Sequence, residues 1–548
     1  LALSPGSYPP RYGRHLGAEV NIQTRQGDRS QFRARAGLSG TSATAVAEGP
    51  IGERGSWLVS ARRSYLDLLL NRLDDGNNLA FGFTDGQVKV ALDLTARNHV
   101  EALVNGGTSQ FDESANNLGA NDERRVTGVT WLGSASWRYA PSSKFMVTQR
   151  VYATGLGFNN VNNAARVLDD AQFDDAGWRA DATWVPASGW IVEAGGDAVR
   201  MRGRHLVNRA LNDADFLSTV NSFRASEITQ SAYAQVTMSA MPRLRVSPAV
   251  RVDRSPSGSS SPASPSIAVD IELHRATKLR AGTGLYQQFP DFEQTYGLHG
   301  ADALRPQRAR HVDAGIAQQL PRNVSLEVTW FARIENDILW ARDAEPRRLP
   351  SGSVLQARGD ARFANALHGK AHGAEAVVRR DAPAGLAGWI GYAYGRHEYT
   401  DQLTGAQFFA DQDQRHSVSM FGRYALSNRA TLGAKFRYGS NYPRVGYIRE
   451  ASAAVTPQLF GGGVPLFYEV GETRNSLRLP AYARLDLRAD RTLTWRGRRV
   501  TLFAEIANLL NRSNLRNVPY DVDRTGRVFG GTGALMPILP SAGFVVEF

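Results

Sequence analysis

The sequence has no cysteine among its 548 residues, very little lysine and no long apolar run. The absence of cysteine excludes disulfides and every zinc or iron–sulfur site with cysteine ligands. The longest purely apolar runs, such as residues 68–70, are far shorter than the roughly 20 residues that a membrane-spanning helix needs. The chain is therefore not a helical membrane protein.

The charge is basic, with 64 Lys and Arg against 52 Asp and Glu and a formal net charge of +12. A basic chain prompts a nucleic-acid hypothesis. The arginines are spread evenly, without a dense basic block or a reader motif, so we expect no nucleic-acid partner. Nearly all of the excess is arginine, because lysine occurs only at Lys89, Lys144, Lys278, Lys370 and Lys435.

Alternation of apolar and polar residues with period two is the dominant pattern of the chain. Residues 232–240 place Ala, Ala, Val, Met and Ala on one face and Tyr, Gln, Thr and Ser on the other. This pattern predicts long β-strands with one apolar and one polar face. It recurs at 88–94, 178–184, 246–253, 324–330 and 481–488.

The connections between these segments alternate between short and long, which is typical of a transmembrane barrel with tight turns at one end and long loops at the other. The count gives about 22 strands, so both ends of the barrel should lie on the short-turn side. The predicted fold is an all-β transmembrane antiparallel β-barrel. Short turns are predicted near 52–55, 95–98, 140–144, 185–189, 241–244, 273–277, 319–323, 381–386, 426–429 and 495–499, and long polar links near 65–84, 109–125, 157–173, 202–228, 254–265, 286–306, 342–363, 398–413, 439–480 and 521–535.

A soluble all-β protein, either a stacked sandwich or a propeller, would also alternate. Its two ends would not differ in loop length, and a propeller would repeat a blade motif every 40–50 residues or so, which this sequence does not do. Tryptophan placement also favours the membrane barrel, because an interfacial aromatic girdle is expected there. Six of the ten tryptophans lie near a predicted short turn: Trp57, Trp137, Trp184, Trp190, Trp389 and Trp495.

The two ends and the middle of the chain resemble known barrels. The last strand, with Ala542, Phe544, Val546 and the terminal Phe548 on one face, resembles the C-terminal signature of bacterial outer-membrane barrels, which their assembly machinery recognises. Segment 6–25, with its Tyr-Gly turn and Val-Asn-Ile strand, is similar to the end of the plug domain in TonB-dependent outer-membrane receptors. Segments 286–290, 304–306, 480–486 and 508–512 resemble the middle and last blocks of the same barrels, although Gln307 replaces the usual acid.

The resemblance implies a receptor for active uptake across a Gram-negative outer membrane. Residues 1–26 would be the C-terminal remnant of the plug and 27–548 the barrel, and the chain would be a fragment of a longer receptor. Both termini would be periplasmic. The implied partners are outer-membrane lipid and lipopolysaccharide, the barrel assembly machinery through Phe548, the TonB complex through the missing N-terminal region, and a small-molecule or glycan ligand. A passive porin-like channel and a soluble β-rich binding protein remain alternatives.

No catalytic motif was found, and we expect neither an enzyme nor a cofactor. His368 and His372 should share a strand face as polar residues rather than form a metal site. The acidic pairs 169–170 and 174–175 are predicted to lie in an extracellular loop, as are Asp411 and Asp413, without the spacing of a calcium loop.

Aromatic and basic residues in the predicted long loops are the candidates for ligand recognition. Exposed aromatics at a barrel mouth can bind a ferric siderophore, a corrinoid or a glycan, and arginines favour an anionic ligand. Packing of the loops is the competing interpretation. The candidates are Phe289, Phe292, Tyr296, Arg305, Phe408, Phe409, Tyr442, Arg444, Tyr447, Phe460 and Tyr468.

Overall fold

The protein, described here from a computed structural model, is built almost entirely of β-strands. The structure describes residues 2–4, 8–66, 78–114, 119–210, 216–258, 263–451 and 468–548. The described residues contain no helix with the length and apolar character needed to cross a bilayer.

Twenty-two strands form the barrel, as the sequence predicted, and each is antiparallel to its neighbours. They are β1 Arg33–Ser39, β2 Ser42–Ile51, β3 Gly55–Ser64, β4 Asn78–Thr95, β5 Asn98–Ser114, β6 Arg125–Ser142, β7 Phe145–Val161, β8 Val167–Trp184, β9 Trp190–Ala210, β10 Leu217–Met241, β11 Leu244–Arg254, β12 Ser264–His274, β13 Thr277–Gln288, β14 Gln307–Leu320, β15 Val324–Trp340, β16 Ala364–Arg380, β17 Gly385–Asp401, β18 His416–Ser427, β19 Ala430–Gly439, β20 Tyr482–Trp495, β21 Arg498–Ala507 and β22 Leu539–Glu547.

The last strand closes the barrel by pairing on both sides. Val545 is opposite Thr501 of β21 and opposite Gly37 of β1. Closure leaves no sheet edge, so backbone N–H and C=O groups are satisfied within the lipid layer. Ala542, Phe544 and Val546 share the outer face of β22, and Phe544 and Phe548 are exposed there.

The alternation of residue types separates an outer face from a lumen. On β11, Val250 and Val252 are 41% and 45% exposed, whereas Arg251 and Asp253 between them are 4% and 1% exposed. Apolar side chains thus point to lipid and polar ones to the interior. Trp137, Trp184, Trp190 and Trp495 are exposed next to the short turns, as expected for a girdle.

The short turns all lie where the alternation predicts them, but several long links are much shorter than expected. Inside the predicted link 202–228, β9 continues to Ala210 and β10 begins at Leu217, and inside 157–173, β7 continues to Val161 and β8 begins at Val167, because the paired strands extend through these polar segments. The predicted loop acids 169–170 and 174–175 therefore belong to β8, which is a correction. β1 and β2 are joined on the long-loop side by residues 40–41 alone, so the predicted strict alternation of short and long connections is wrong there.

The N-terminal segment 8–32 lies against the polar inner wall of the barrel. Arg14 forms an ion pair with Asp197 at 3.0 Å, and the Arg251 guanidinium donates to the Pro10 carbonyl at 3.1 Å. Tyr8, 2% exposed, contacts the rings of His15 and Tyr286. Further contacts join Arg11 with Glu193, Arg25 with Glu48, Arg29 with Asp93, Lys89 with the Thr24 carbonyl and Arg333 with the Leu16 carbonyl.

Replacement of Gly543 should weaken barrel closure. A Cβ at this position would overlap the Leu38 carbonyl oxygen and the Phe503 ring. Overpacking of this kind costs about 1–3 kcal/mol, so Gly543→Val should lower the thermal stability of the barrel. In samples incubated at rising temperatures and then run on semi-native gels, the band of the folded barrel should disappear at a lower temperature. The control is Ala504→Val on the exposed face of β21; an equal loss in both variants would contradict the close-approach argument.

Candidate functional site

The long-loop end of the barrel carries the folded loops that surround its mouth. One loop, between β13 and β14, forms the short helix Phe292–Tyr296. Its N-cap is Asp291, whose carboxylate accepts from the Gln294 backbone N–H at 2.9 Å while the Gln294 side chain accepts from Asp291. This reciprocal cap fixes the helix in a chain that is otherwise extended.

The helix places Phe292 against a set of inward-facing rings, which we call the aromatic wall: Phe158, Phe173, His205, Phe223 and Phe292. Neighbouring ring centroids lie 5.8–6.4 Å apart, mostly tilted or edge to face. This geometry is favourable for aromatic groups; Phe223 is buried and the other four rings are half-buried.

Tyr296 stands beside the aromatic wall and is 42% exposed. Its hydroxyl donates to Glu227 at 2.6 Å. Burial of the hydroxyl and this hydrogen bond raise the pKa of Tyr296 to about 12, so the group is a neutral donor at physiological pH.

Phe408 belongs to a different cluster, between the lumenal segment and the wall. It is 7% exposed and packs on Trp340 and Tyr399, in the same buried group as Tyr8 and Leu16. Its position indicates a role in packing the loop against the lumenal segment. The adjacent Phe409 is half-buried beneath guanidinium groups of Arg396, Arg415 and Arg478, the nearest 4.4 Å from its ring centroid.

A small four-stranded sheet over the mouth holds three further candidates. Its strands are Ile448–Glu450, Tyr468–Val470, Leu515–Val522 and Arg527–Ala534. Tyr447 is buried in its core, and Arg444, 4% exposed, stacks on the Tyr468 ring at 3.8 Å. These three side chains therefore hold the sheet together.

The remaining candidates do not form one site. Phe289 is half-buried next to Pro306 and Gly258, whereas Tyr442 is 42% exposed. Arg305 bonds Asp337 at 2.6 Å. Phe460 lies outside the described residues.

Ion pairs tie three loops together in what we call the loop latch: Arg474, Glu345, Asp411, Arg478, Asp413 and Arg415. Arg474, on the 440–481 connection, binds Glu345 at 2.6 and 2.7 Å and also Asp411, and so bridges to the 341–363 and 402–415 connections. Although burial alone would lower the pKa of Arg474, its two carboxylate partners raise it above the ordinary range.

Asp413 is the second centre of the loop latch. Its buried carboxylate accepts from the His397 backbone N–H at 2.7 Å, from Arg415 at 2.9 Å and from Arg478. Burial would raise the pKa of Asp413, but these three donors together lower it below the ordinary value of 3.8.

In the part of the chain that the structure describes, no group of three or more His, Asp or Glu side chains is placed to hold a metal ion. His368 and His372 lie on one strand, β16, as predicted, and His368 contacts Asn336 at 2.9 Å.

Sequence reasoning missed most of the aromatic wall. Phe173, His205 and Phe223 lie on β8, β9 and β10 within segments that were predicted as loops. The signal was available in part, because each aromatic alternates with charged neighbours such as Arg204 and Arg224, which is a strand pattern.

Comparison with known proteins agrees with this architecture. A family model described as "TonB dependent receptor-like, beta-barrel" matches residues 21–509. The chain belongs to this family. Members are receptors, and the family assignment implies an outer-membrane barrel of a Gram-negative cell. No curated protein matches the sequence itself.

Solved structures share the fold of this TonB-dependent receptor barrel at low identity. The ferric enterobactin receptor PfeA of Pseudomonas aeruginosa has a TM-score of 0.72 at 13% identity, over 100% of this chain and 84% of that one. The ferric-catecholate import receptor Fiu of E. coli K12 has 0.70 at 11%, over 100% and 85%. The copper transporter OprC has 0.69 at 14%, over 100% and 85%.

Removal of Arg474 should release the loops without unfolding the barrel. Arg474→Met leaves Glu345 and Asp411 without their shared cation, and breaking a buried pair costs about 3–5 kcal/mol. We expect faster protease cleavage within 341–363 and 402–415. The control is Arg358→Met, whose ion pair with Asp360 is exposed to solvent and contributes little to stability; equal cleavage in the two variants would argue against the latch.

The loop latch should also resist mild acid. Because the pKa of Asp413 is lower in the folded protein than its ordinary value of 3.8, the stability it contributes is complete above that value and is lost as the pH falls through the folded pKa. Hydrogen exchange of residues 402–415, corrected for intrinsic rates, should show equal protection at pH 7 and pH 5 and a loss only below pH 3.8, as the pH falls through the folded pKa. Loss already at pH 5 would contradict this assignment, and Asp413→Asn should lower protection at pH 7.

Proposed function

We propose that this chain is the barrel of a receptor that imports a scarce metal chelate, in the first place a ferric siderophore, with energy from the inner-membrane TonB complex. The family match over most of the chain supports the transport class. Two of the structures most similar in fold carry the names of a ferric-catecholate import receptor and a ferric enterobactin receptor, which supports the ligand class.

The observation that carries the proposal is that an N-terminal segment of the chain lies inside the lumen of the barrel. Segment 8–32 is held to the inner wall by ion pairs along its length, from Arg14 to Arg29. We assign residues 1–26 to the end of a plug and 27–548 to the barrel. A wide barrel with a plug needs an energised step to pass a solute, whereas a passive channel needs an open lumen.

The mouth is better suited to a ligand with aromatic or apolar groups than to a ligand that is bound by charge alone. Several arginines are engaged by the protein itself, including Arg305 with Asp337 and Arg449 with Glu469. We assign ligand contact to the exposed Tyr296 and Tyr442 and to the half-buried rings of the aromatic wall, while Phe223, 9% exposed, packs against Phe292. A catecholate chelate fits these rings, and a corrinoid or a glycan is the alternative class.

The rest of the assignment follows from this function. The protein acts as a receptor without catalysis and without a bound cofactor. The two ends of the barrel, the start of β1 and the end of β22, lie on the short-turn side, which we assign to the periplasm. The exposed outer face of β22 with Phe548 is the segment offered to the barrel assembly machinery, and outer-membrane lipid surrounds the apolar band.

Uptake of radiolabelled iron by the full-length receptor tests the proposal. In cells that lack their own receptors, a panel of ferric catecholates, hydroxamates and citrate should include at least one substrate, and uptake should stop when the proton gradient is dissipated. Uptake that persists without the gradient would favour a passive channel. Uptake of a corrinoid or a glycan alone would overturn the siderophore assignment.

Truncation of the aromatic wall should weaken ligand binding. Phe292→Ala removes a half-buried ring that contacts Phe223 at 6.3 Å, and we expect about tenfold weaker binding of the transported chelate, since a large interface ring contributes on the order of 1.4 kcal/mol or more. Fluorescence quenching titration measures this. Phe145→Ala, beside a turn at the opposite end of the barrel, should bind normally.

A further inference from the structure

The inner face of β18–β21 carries a surplus of positive charge. Apolar side chains identify the outer face, because Tyr424, Leu432, Leu487 and Leu502 are exposed there, one on each strand, and chain neighbours on a strand point to opposite faces. The opposite, inner face of these four strands carries six cationic side chains and three carboxylates. The six cations, which we call the cationic strip, are Arg423, Lys435, Arg437, Arg484, Arg488 and Arg499, and the carboxylates are Asp486, Asp490 and Glu505.

Two members of the cationic strip engage all three carboxylates of this wall. Arg484 contacts Asp486 at 2.6 Å. Arg488 contacts Asp490 at 2.8 Å and Glu505 at 2.9 Å. The carboxylates of these strands are therefore already paired, and the remaining cations of the strip have to find their counter-charge elsewhere.

Three members of the cationic strip lack such a partner. Within the residues that the structure describes, no carboxylate lies at ion-pair distance from Arg423, Lys435 or Arg437. Arg437 is directly opposite Arg484 in the sheet, and like charges in this arrangement are destabilising. An anion in the lumen would relieve this repulsion.

The strip extends from the mouth towards the end of the barrel that we assign to the periplasm. Lys435 and Gly433 follow Arg437 at the inward positions of β19, each about 7 Å further from the mouth. Arg423 is directly opposite Gly433 on β18, and Arg499 is the second residue of β21, beside a short turn. Positive charge therefore recurs along most of the height of this wall.

Segment 8–32 lies against other strands. Its hydrogen bonds and ion pairs with the wall reach β1–β15, and in the described part of the chain none of them reaches β18–β21. Its arginines neutralise acidic groups on that side, as Arg11 does with Glu193 and Arg29 with Asp93. The segment thus leaves the cationic side of the lumen free.

We propose that an anionic metal chelate crosses the lumen along the cationic strip, on the side that segment 8–32 leaves free. Clefts lined by charge of one sign concentrate ligands of the opposite sign. Phe421, which is 42% exposed and directly opposite Lys435, adds an aromatic surface to the strip. A ferric ion held by three catecholate dianions is anionic, whereas one held by three hydroxamate monoanions is neutral. The inference rests on the proposed function and adds the charge of the substrate and the route by which it passes.

Substitution of Gly433 tests the charge of the strip without removing any of its members. A Cβ at this position has room, since its nearest neighbours are the backbone oxygens of Arg488 and Gly422 at 3.8 and 4.0 Å. Gly433→Glu places a carboxylate between Arg423 and Arg488, whereas Gly433→Gln adds the same bulk without charge. In cells that lack their own receptors, the full-length Glu variant should take up a radiolabelled anionic chelate, ferric tris-catecholate or ferric citrate, about tenfold more slowly than the Gln variant.

Two further measurements separate passage from binding and from folding. Affinity for the chelate at the mouth, measured by fluorescence quenching, should be the same in the two Gly433 variants, because only the step along the inner wall is altered. The difference in uptake rate should shrink at high ionic strength, since salt screens exposed charges. Semi-native gels verify that each barrel is closed.

Removal of the unpaired cations gives an independent test. The triple variant should slow uptake of the same anionic chelates about tenfold, whereas a control with the same loss of charge on the short turns should transport at the unaltered rate. The triple variant is Arg423→Gln, Lys435→Gln and Arg437→Gln, and the control is Arg275→Gln, Arg322→Gln and Arg429→Gln.

The outcomes distinguish failure of the inference from failure of the proposed function. Equal uptake rates in the Gly433→Glu and Gly433→Gln variants, or uptake of a neutral ferric tris-hydroxamate alone by the unaltered receptor, would overturn the inference and leave the proposed function standing. Uptake of none of these chelates by the unaltered receptor would overturn both.

Discussion

The hydrogen-bonded ring of strands is the constraint on which everything else in this molecule depends. Lipid offers no partner for a backbone amide or carbonyl, so the sheet must close, and it closes where β22 lies between β21 and β1. Closure fixes which face of every strand points inward. The lumenal contacts of segment 8–32 and the aromatic wall both follow from that single division of the residues into two faces.

The architecture could be predicted from the sequence, because a sheet with one face towards lipid and the other towards a polar interior requires apolar and polar residues to alternate with period two. It did not reveal where strands end. Polar stretches such as 202–210 suggested loops, yet the hairpin of β9 and β10 continues there with arginines on one face and aromatic rings on the other. Polarity reports contact with water or headgroups, and a strand that rises above the membrane has that contact on its outer face too.

The candidate site was accessible to sequence reasoning only in part. Phe292 and Tyr296 lie at the mouth as expected for ligand contacts, but Phe408 and Tyr447 are buried in loop packing. Which aromatic turns inward depends on partners distant in the chain, such as Tyr8 for the cluster around Phe408. Arginine served equally poorly as a marker of anion binding, because residues such as Arg474 neutralise carboxylates of neighbouring loops.

The strands differ in length around the ring, and this makes the mouth oblique. Strands β4 to β10 have 17–25 residues, whereas β18 to β22 and β1 to β3 have 7–14. An excess of eight to ten residues raises one side by roughly 20–25 Å. On the high side the paired strands themselves extend the wall of the lumen beyond the membrane, whereas on the low side the small sheet does so, because its strands lie in the β19–β20 and β21–β22 connections.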